Sequence, residues 1–320
     1  MTSTSPLDHV TDLYLPAEDP GAGIFFPGNH PVTPKMIGAC IALVEKAKKK
    51  RVSDSKVAEG GVPFRSHFMP TSGGDMYIFR KMPTEILSMS KLGMPAVVAN
   101  QLLSERMIKG GLIIVSGLPG NGKSTTLASI IVARLEKYAG ICITVEDPIE
   151  MPLQGRHGEG LCLQRGVIGE EQFATAIRDA MRAYPAKTPA MMMIGEVRDS
   201  ETAALAIRSA VDGRLVMITM HAANPIKALM RLCSFASRHM PLEEVRELLA
   251  SSFRMALHQT LASVPGTDQV KLQLQVLQDT NSVAGTIRSR NLSLETLKND
   301  LTQQTNCLRL KLPIELRSVD

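Results

Sequence analysis

The sequence predicts an α/β fold: a mostly parallel sheet with helices on both faces, preceded by a small α+β domain. Apolar runs at 112–115, 141–145, 191–194 and 215–219 alternate with helical segments that start near Lys123, Glu170 and Ser200. That rhythm belongs to strands returned by crossover helices. The runs are apolar throughout rather than at every second residue, as strands covered on both sides must be. Between the first run and the first helix lies a glycine-rich segment, a further mark of the strand–turn–helix unit.

The remaining elements follow in chain order. Residues 1–34 are rich in Pro, Gly and Asp and read as mostly irregular. In 35–49, Met36, Ile37, Cys40, Leu43, Val44 and Ala47 recur at helical spacing. Residues 62–68 and 76–80 read as short strands, a hairpin punctuated by Gly60-Gly61 and Gly73-Gly74. Together these suggest an N-terminal domain over 1–82. Met82-Pro83 and Met94-Pro95 bracket a linker over 83–108, because proline disfavours helix in the residue before it. The main domain then spans 109–262. After Pro225 the chain reads as helical to about Ala262, with a helix start around Pro241-Leu242-Glu243-Glu244. Val270, Leu272, Leu274 and Val276 alternate, the period of a strand within 269–277. The segment 263–320 is a mixed C-terminal region, and no internal repeat is visible.

Composition bounds the rest. With 320 residues, 44% of them apolar, the chain can bury a sizeable core, and 21% charged residues argue against wholesale disorder. A net charge of +5 permits contact with nucleic acid, anionic lipid or acidic protein and selects none of them. The densest basic run, KAKKKR at 46–51, reads as the solvated end of a helix. Five widely spaced cysteines without a C-x-x-C pair argue against a disulfide framework or zinc cage and suit a reducing cytoplasm; Cys142, in an apolar run, reads as core. No apolar stretch is long enough to span a bilayer, and the first residues lack the pattern of a signal peptide.

Residues 117–124, GLPGNGKS, fit G-x-x-x-x-G-K-[ST]. Glycines let a backbone wrap closely around phosphate oxygens, and the following helix turns its positive end toward the anion. Gly117, Pro119, Gly120, Asn121, Gly122, Lys123, Ser124 and Thr125 are thus the candidate nucleotide cradle. Lys123 would reach the β- and γ-phosphates of ATP, and Ser124 would place its hydroxyl on Mg²⁺.

Two acidic clusters end apolar strands of the same domain: Glu146-Asp147-Pro148-Ile149-Glu150 and Glu196-Val197-Arg198-Asp199. In open α/β sheets ligands bind beyond the carboxyl ends of the strands, so both clusters should face the phosphates. Phosphoryl transfer to water needs a held metal and a group that orients the water. Glu196 and Glu150 are the favoured candidates, while Asp147 and Asp199 are as well explained by solvation or helix capping. His221, ending a third strand, stands where it could contact the γ-phosphate.

Four segments in order, GLPGNGKSTT (117–126), ITVEDPIE (143–150), MIGEVRDSETA (193–203) and GRLVMITMHAANP (213–225), resemble the Walker A, Asp box, Walker B and His box of the secretion and pilus-motor ATPases. The flavour is nearest to the conjugative and type IVB branch of DotB and TraJ. The resemblance implies a RecA-like ATPase domain, a homohexameric ring in the cytoplasm, and attachment to inner-membrane components of a secretion or pilus machine. It implies Glu150 as the residue that orients or activates water, Glu196 as the Walker B acid and metal ligand beside Ser124, and His221 as the His-box residue. It also implies arginines supplied in trans by the N-terminal domain, with Arg65 and Arg80 as candidates. Three departures stand out. Position 214 is Arg where pilus motors carry a first His; the tetracysteine zinc module of many assembly ATPases is absent; and so is the AIRNLIRE-like motif of retraction motors. The chain could therefore power conjugative DNA transfer, type IV secretion or pilus dynamics. A nucleic-acid motor with the same core and a nucleotide-dependent scaffold with little hydrolysis are the alternatives. An aromatic content of 4% without Trp gives base stacking little support.

Overall fold

A computed structural model describes residues 5–167, 172–264, 270–291 and 293–318. The chain forms two compact units, Met1–Glu85 and Ile86–Asp320.

The first unit contains β1 (Asp12–Pro16), β2 (Ile24–Phe26), β3 (His30–Pro31), α1 (Ile37–Lys50), β4 (Asp54–Glu59), β5 (Val62–Thr71) and β6 (Gly74–Lys81). Its strands form one antiparallel sheet in the order β3-β2-β1-β6-β5-β4. Helix α1 buries Cys40, Leu43, Val44 and Ala47, and the Phe64 and Phe79 rings meet edge-on in the same core. Gly60 and Gly61, both at positive φ, close the β4–β5 hairpin, a turn that matches the strand twist. The reading of 1–34 as irregular is corrected for 12–31. β1 alternates buried Leu13 and Leu15 with half-buried neighbours and pairs along β6, but strands this short carry too few periods to stand out in sequence. The basic run is the end of α1: Lys46 pairs with Glu59 at 2.6 Å and Lys48 donates to the Ala17 carbonyl at 2.8 Å.

The second unit continues with α2 (Ala96–Leu102), β7 (Gly111–Ser116), α3 (Lys123–Tyr138), β8 (Ile141–Glu146), β9 (Gly155–His157), β10 (Gly160–Gly166), α4 (Phe173–Met181), β11 (Ala190–Ile194), α5 (Ser200–Val211), β12 (Leu215–Met220), α6 (Pro225–Ala236), α7 (Leu242–Ser252), β13 (Phe253–Ser263), β14 (Val270–Gln278), α8 (Asn281–Arg288) and α9 (Lys298–Arg309). The sheet order is β14-β13-β7-β12-β11-β8-β10-β9, parallel from β13 to β10 with an antiparallel strand at each edge. Alternate residues of each strand serve opposite faces. Leu112 and Ile114 join a core with α5, α6 and α7, whereas Ile113 and Val115 pack toward α3.

Two expectations change here. The helix expected to reach Ala262 stops at Ser252, and Phe253–Ser263 is a strand laid parallel to β7. Met, Ala, Leu and Gln in this stretch favour helix locally, and the ladder with β7 and β14 overrides that preference. The stretch read as a linker holds α2 and a 3₁₀ turn (Glu105–Lys109), which bury Val98, Leu102 and Met107. The helix expected near Glu170 has its predicted start outside the described residues; α4 begins at Phe173. The C-terminal segment is fastened through Asp279, fully buried, which Arg106 and Arg317 approach at 3.1 and 3.2 Å and Arg254 at 3.7 Å.

All five cysteines are free thiols, and burial pushes Cys40 and Cys233 up to about 11. No helix among the described residues is long and apolar enough to cross a membrane.

Candidate active site

Strands β7, β8, β11 and β12 end side by side, and the candidate residues lie just beyond those ends. The loop from Gly117 to Gly122 connects β7 to α3. Gly120 and Gly122 hold φ of +78° and +73°, the left-handed region that glycine enters without strain. Gly122 stands at the helix N-cap, where no side chain satisfies the first-turn N–H groups of α3. Pro119 and Gly120 are exposed, and nothing lies within 4 Å of where a Cβ on Gly120 would be.

Lys123 folds its ammonium back into the loop. It is buried and donates to the carbonyls of Gly117 at 3.0 Å and Leu118 at 3.1 Å. Burial pushes its pKa down, while the charges of Glu196 and Glu150 pull it up. Both predicted acids therefore lie within electrostatic reach of the predicted lysine. Ser124 and Thr125 are half-buried, the Thr125 hydroxyl 4.0 Å from the Met151 sulfur. The Asn121 side chain acts as a tether: its Oδ1 accepts the Leu261 N–H at 3.0 Å, and the Asn121 carbonyl accepts the Gln259 amide. Strand β13 thus holds the loop from behind. His258 of the same strand has Nδ1 3.2 Å from the Ser116 hydroxyl; burial, then Lys123, pushes its pKa down.

Glu146 closes β8 and is buried, which raises its pKa against the hydrogen bonds it accepts from Thr144 and Gln164 and from the Glu150 N–H. Glu150, four residues on, is exposed. Glu196 lies just past β11. Its Oε1 is 3.2 Å from His221 Nε2, and its Oε2 accepts Arg198 Nε at 2.7 Å. His221 Nδ1 lies 3.2 Å from the Gly117 carbonyl, so the ring bridges the loop and Glu196, with Arg231 donating to the His221 carbonyl. Asp199 caps α5 by accepting the Thr202 N–H at 2.8 Å. Arg214 precedes β12, at the opposite end of the strand from His221, and stacks over the Tyr184 ring at 5.3 Å. Among the described residues no group of three His, Cys, Asp or Glu side chains gathers as a metal cage.

In the first unit Arg65 and Arg80 face each other across β5 and β6. Cross-strand partners share one face of a sheet. Arg65 pairs with Asp54 at 3.1 Å and Arg80 with Asp12 at 2.8 Å, both at the surface. Sequence reasoning missed Gln259 and His258, which lie in the stretch read as helix, and Gln164, which belongs to no motif. In the sequence Glu146 is only one of an acidic cluster.

Residues 49–296 match the model of the type II/IV secretion system protein family. The chain belongs to that family. Among its relatives, the type IV pilus retraction ATPase PilT of Pseudomonas aeruginosa is 32% identical over 239 residues, which cover 72% of this chain and 63% of that one. The chain thus spans less than two thirds of that relative's length. A crystal structure of the pilus retraction motor PilT with bound ADP superposes with a TM-score of 0.72 at 28% identity, covering 94% of this chain and 86% of the other. The Legionella pneumophila ATPase DotB shares the fold, with a TM-score of 0.67 at 19% identity over 94% of this chain and 82% of that one. With PilT as neighbour, the mostly parallel sheet, which follows a smaller N-terminal unit along the chain, is the RecA-like α/β architecture of the family.

Proposed function

We propose that this chain is a P-loop ATP hydrolase whose turnover drives a secretion, conjugative-transfer or pilus machine. One observation carries the reading: a buried lysine folds into a glycine loop at the end of β7, Glu196 is tied to that same loop through His221, and Glu150 follows the strand next to that of Glu196. The loop also fits a magnesium–triphosphate on its own chemistry. It offers an uncapped helix N-terminus, open space beside Gly120, and an ammonium that donates to loop carbonyls.

Lys123 would exchange those carbonyls for β- and γ-phosphate oxygens. Ser124 and Glu196 would hold Mg²⁺, which when bound would neutralise charge on the terminal phosphates. Glu150, exposed and unencumbered by any hydrogen bond to its carboxylate among the described contacts, would orient the attacking water and accept its proton. His221 now ties Glu196 to the loop and would sense the γ-phosphate as that tie is exchanged. Binding thus swaps internal hydrogen bonds for ligand ones.

In a homohexamer, Arg65 and Arg80 would complete the site of a neighbouring subunit and stabilise charge on the transferring phosphoryl group. The motion produced would pass to inner-membrane components of the machine, with the ring on the cytoplasmic side. Steady-state phosphate release tests the reading. Wild type should turn over ATP and Lys123→Ala should not, with the fold unchanged by circular dichroism. Mixed assemblies of Arg80→Ala and Glu196→Gln subunits should recover part of the activity. Hydrolysis by Lys123→Ala at the wild-type rate would refute the phosphate role.

A further inference from the structure

The segment that carries Glu150 leaves β8 and returns toward β10 through residues 147–154, outside any regular element that would hold it. A water-orienting carboxylate on such a segment needs something to fix its backbone. Neighbouring Gln164 on β10 supplies a fixed point. It lies directly beside Thr144 of β8 in the parallel register. Its side-chain amide has two N–H donors and one oxygen with two lone pairs, and all four are used. The Nε2 group donates to Glu146 Oε1 at 2.9 Å and to the Met151 carbonyl at 2.9 Å. The Oε1 accepts the N–H of Leu153 at 3.0 Å and of Gln154 at 2.9 Å. The Gln154 side chain answers by accepting the Gln164 N–H at 2.7 Å. Further toward β8, in the middle of the segment, Glu146 Oε2 accepts the N–H of Glu150 itself at 3.3 Å, and its Oε1 also receives the Thr144 hydroxyl at 2.6 Å.

We propose that Gln164 is a positioning residue for ATP hydrolysis: with Glu146 as relay, it staples residues 150–154 and so sets where Glu150 stands. The inference rests on the functional reading above. No other side-chain type reproduces the staple. Methionine has the length but neither donors nor a competent acceptor, and glutamate would lose the two donors and set a carboxylate against buried Glu146. Gln164 has no contact with the glycine loop or Lys123 among the described hydrogen bonds, so its loss should spare nucleotide binding. Separating kcat from affinity therefore distinguishes positioning from a general structural role.

The experiment compares full-length wild type, Gln164→Met and Gln164→Glu by steady-state ATP turnover and by titration with a fluorescent ADP analogue, with Lys123→Ala as reference. The expected result is a kcat lowered by roughly 10- to 100-fold in Gln164→Met, and further in Gln164→Glu, with the ADP Kd within about twofold of wild type. Amide hydrogen exchange on the wild type gives a readout that needs no variant. The N–H groups of Glu150 and Gln154, bonded to side chains, and that of Leu153, shared between Gln164 and the Met151 carbonyl, should exchange slowly, and that of Gln154 above all should speed up in Gln164→Met. Wild-type kcat in Gln164→Met, a loss of ADP affinity as large as the loss of kcat, or fast exchange at Leu153 and Gln154 in the wild type would each overturn the proposal. The parent reading fails separately. A wild type without Lys123-dependent turnover overturns it and this inference together, whereas normal turnover with full activity in Gln164→Met overturns this inference alone.

Discussion

A methyl group added at two glycines of the same loop should have opposite consequences. At Gly117 a Cβ would lie 2.5 Å from the carbonyl oxygen of Gln259. That oxygen is backbone, in a strand paired to β14 through Gln259 itself and to β7 as far as the preceding residue, His258, so it cannot swing aside freely. Overpacking against a fixed atom costs about 1–3 kcal/mol. For a unit of this size, about 2 kcal/mol lowers Tm by about 4–8 °C. At Gly120 the Cβ would meet nothing, and the penalty is that of placing alanine at φ +78°. This is about 1 kcal/mol, or about 2–4 °C. The open space beside Gly120, however, is where phosphate oxygens would come. Gly120→Ala should therefore raise the Kd for an ADP analogue at least about tenfold, the equivalent of about 1.4 kcal/mol. Gly117→Ala, whose methyl points at β13, should disturb affinity less than Gly120→Ala does. Calorimetric melting and fluorescence titration read the two effects. The reverse order, with Gly120→Ala the less stable and Gly117→Ala the weaker binder, would refute the assignment of one glycine to the scaffold and the other to the ligand.

Two further substitutions probe other parts of the account. Glu196→Gln should keep ADP binding within a few-fold and lower kcat by at least about 100-fold, because charge near a transferring phosphoryl group dominates its catalysis; equal turnover by variant and wild type counts against the metal role. Asp279→Asn should destabilise the second unit by about 3–5 kcal/mol, since it leaves the Arg106, Arg254 and Arg317 guanidiniums around a buried neutral group, and calorimetry should show Tm lower by about 10 °C; an unchanged Tm means the cluster does not hold the C-terminal segment.

What the sequence makes legible follows from where the signal is local. The four apolar strands stand out because burial on both faces leaves few polar residues in them, and the helices opening at Lys123 and Ser200 are set off by the change of period that follows. Lys123, Glu150, Glu196 and His221 could be singled out because a phosphate site needs those residue types at strand ends. β13 was hidden because its residues favour helix when considered alone, and its strand state comes from the β7 ladder, more than a hundred residues away in sequence. The same misreading concealed Gln259 and His258. Gln164 and the relay role of Glu146 were invisible for another reason: a buried hydrogen-bond network has no period and no motif, and its members acquire meaning only when β8 and β10 lie side by side. Asp199 shows the converse. It sits in a motif yet is occupied with capping α5.

Single-turnover hydrolysis by Glu150→Gln, measured with ATP saturating and with ADP affinity determined on the same preparation, bears most directly on the convergence of acids upon a lysine-held triphosphate. Retained binding with the chemical step slowed at least about 100-fold is the result the account predicts. A wild-type chemical step in that variant would place the water-activating group elsewhere and contradict it.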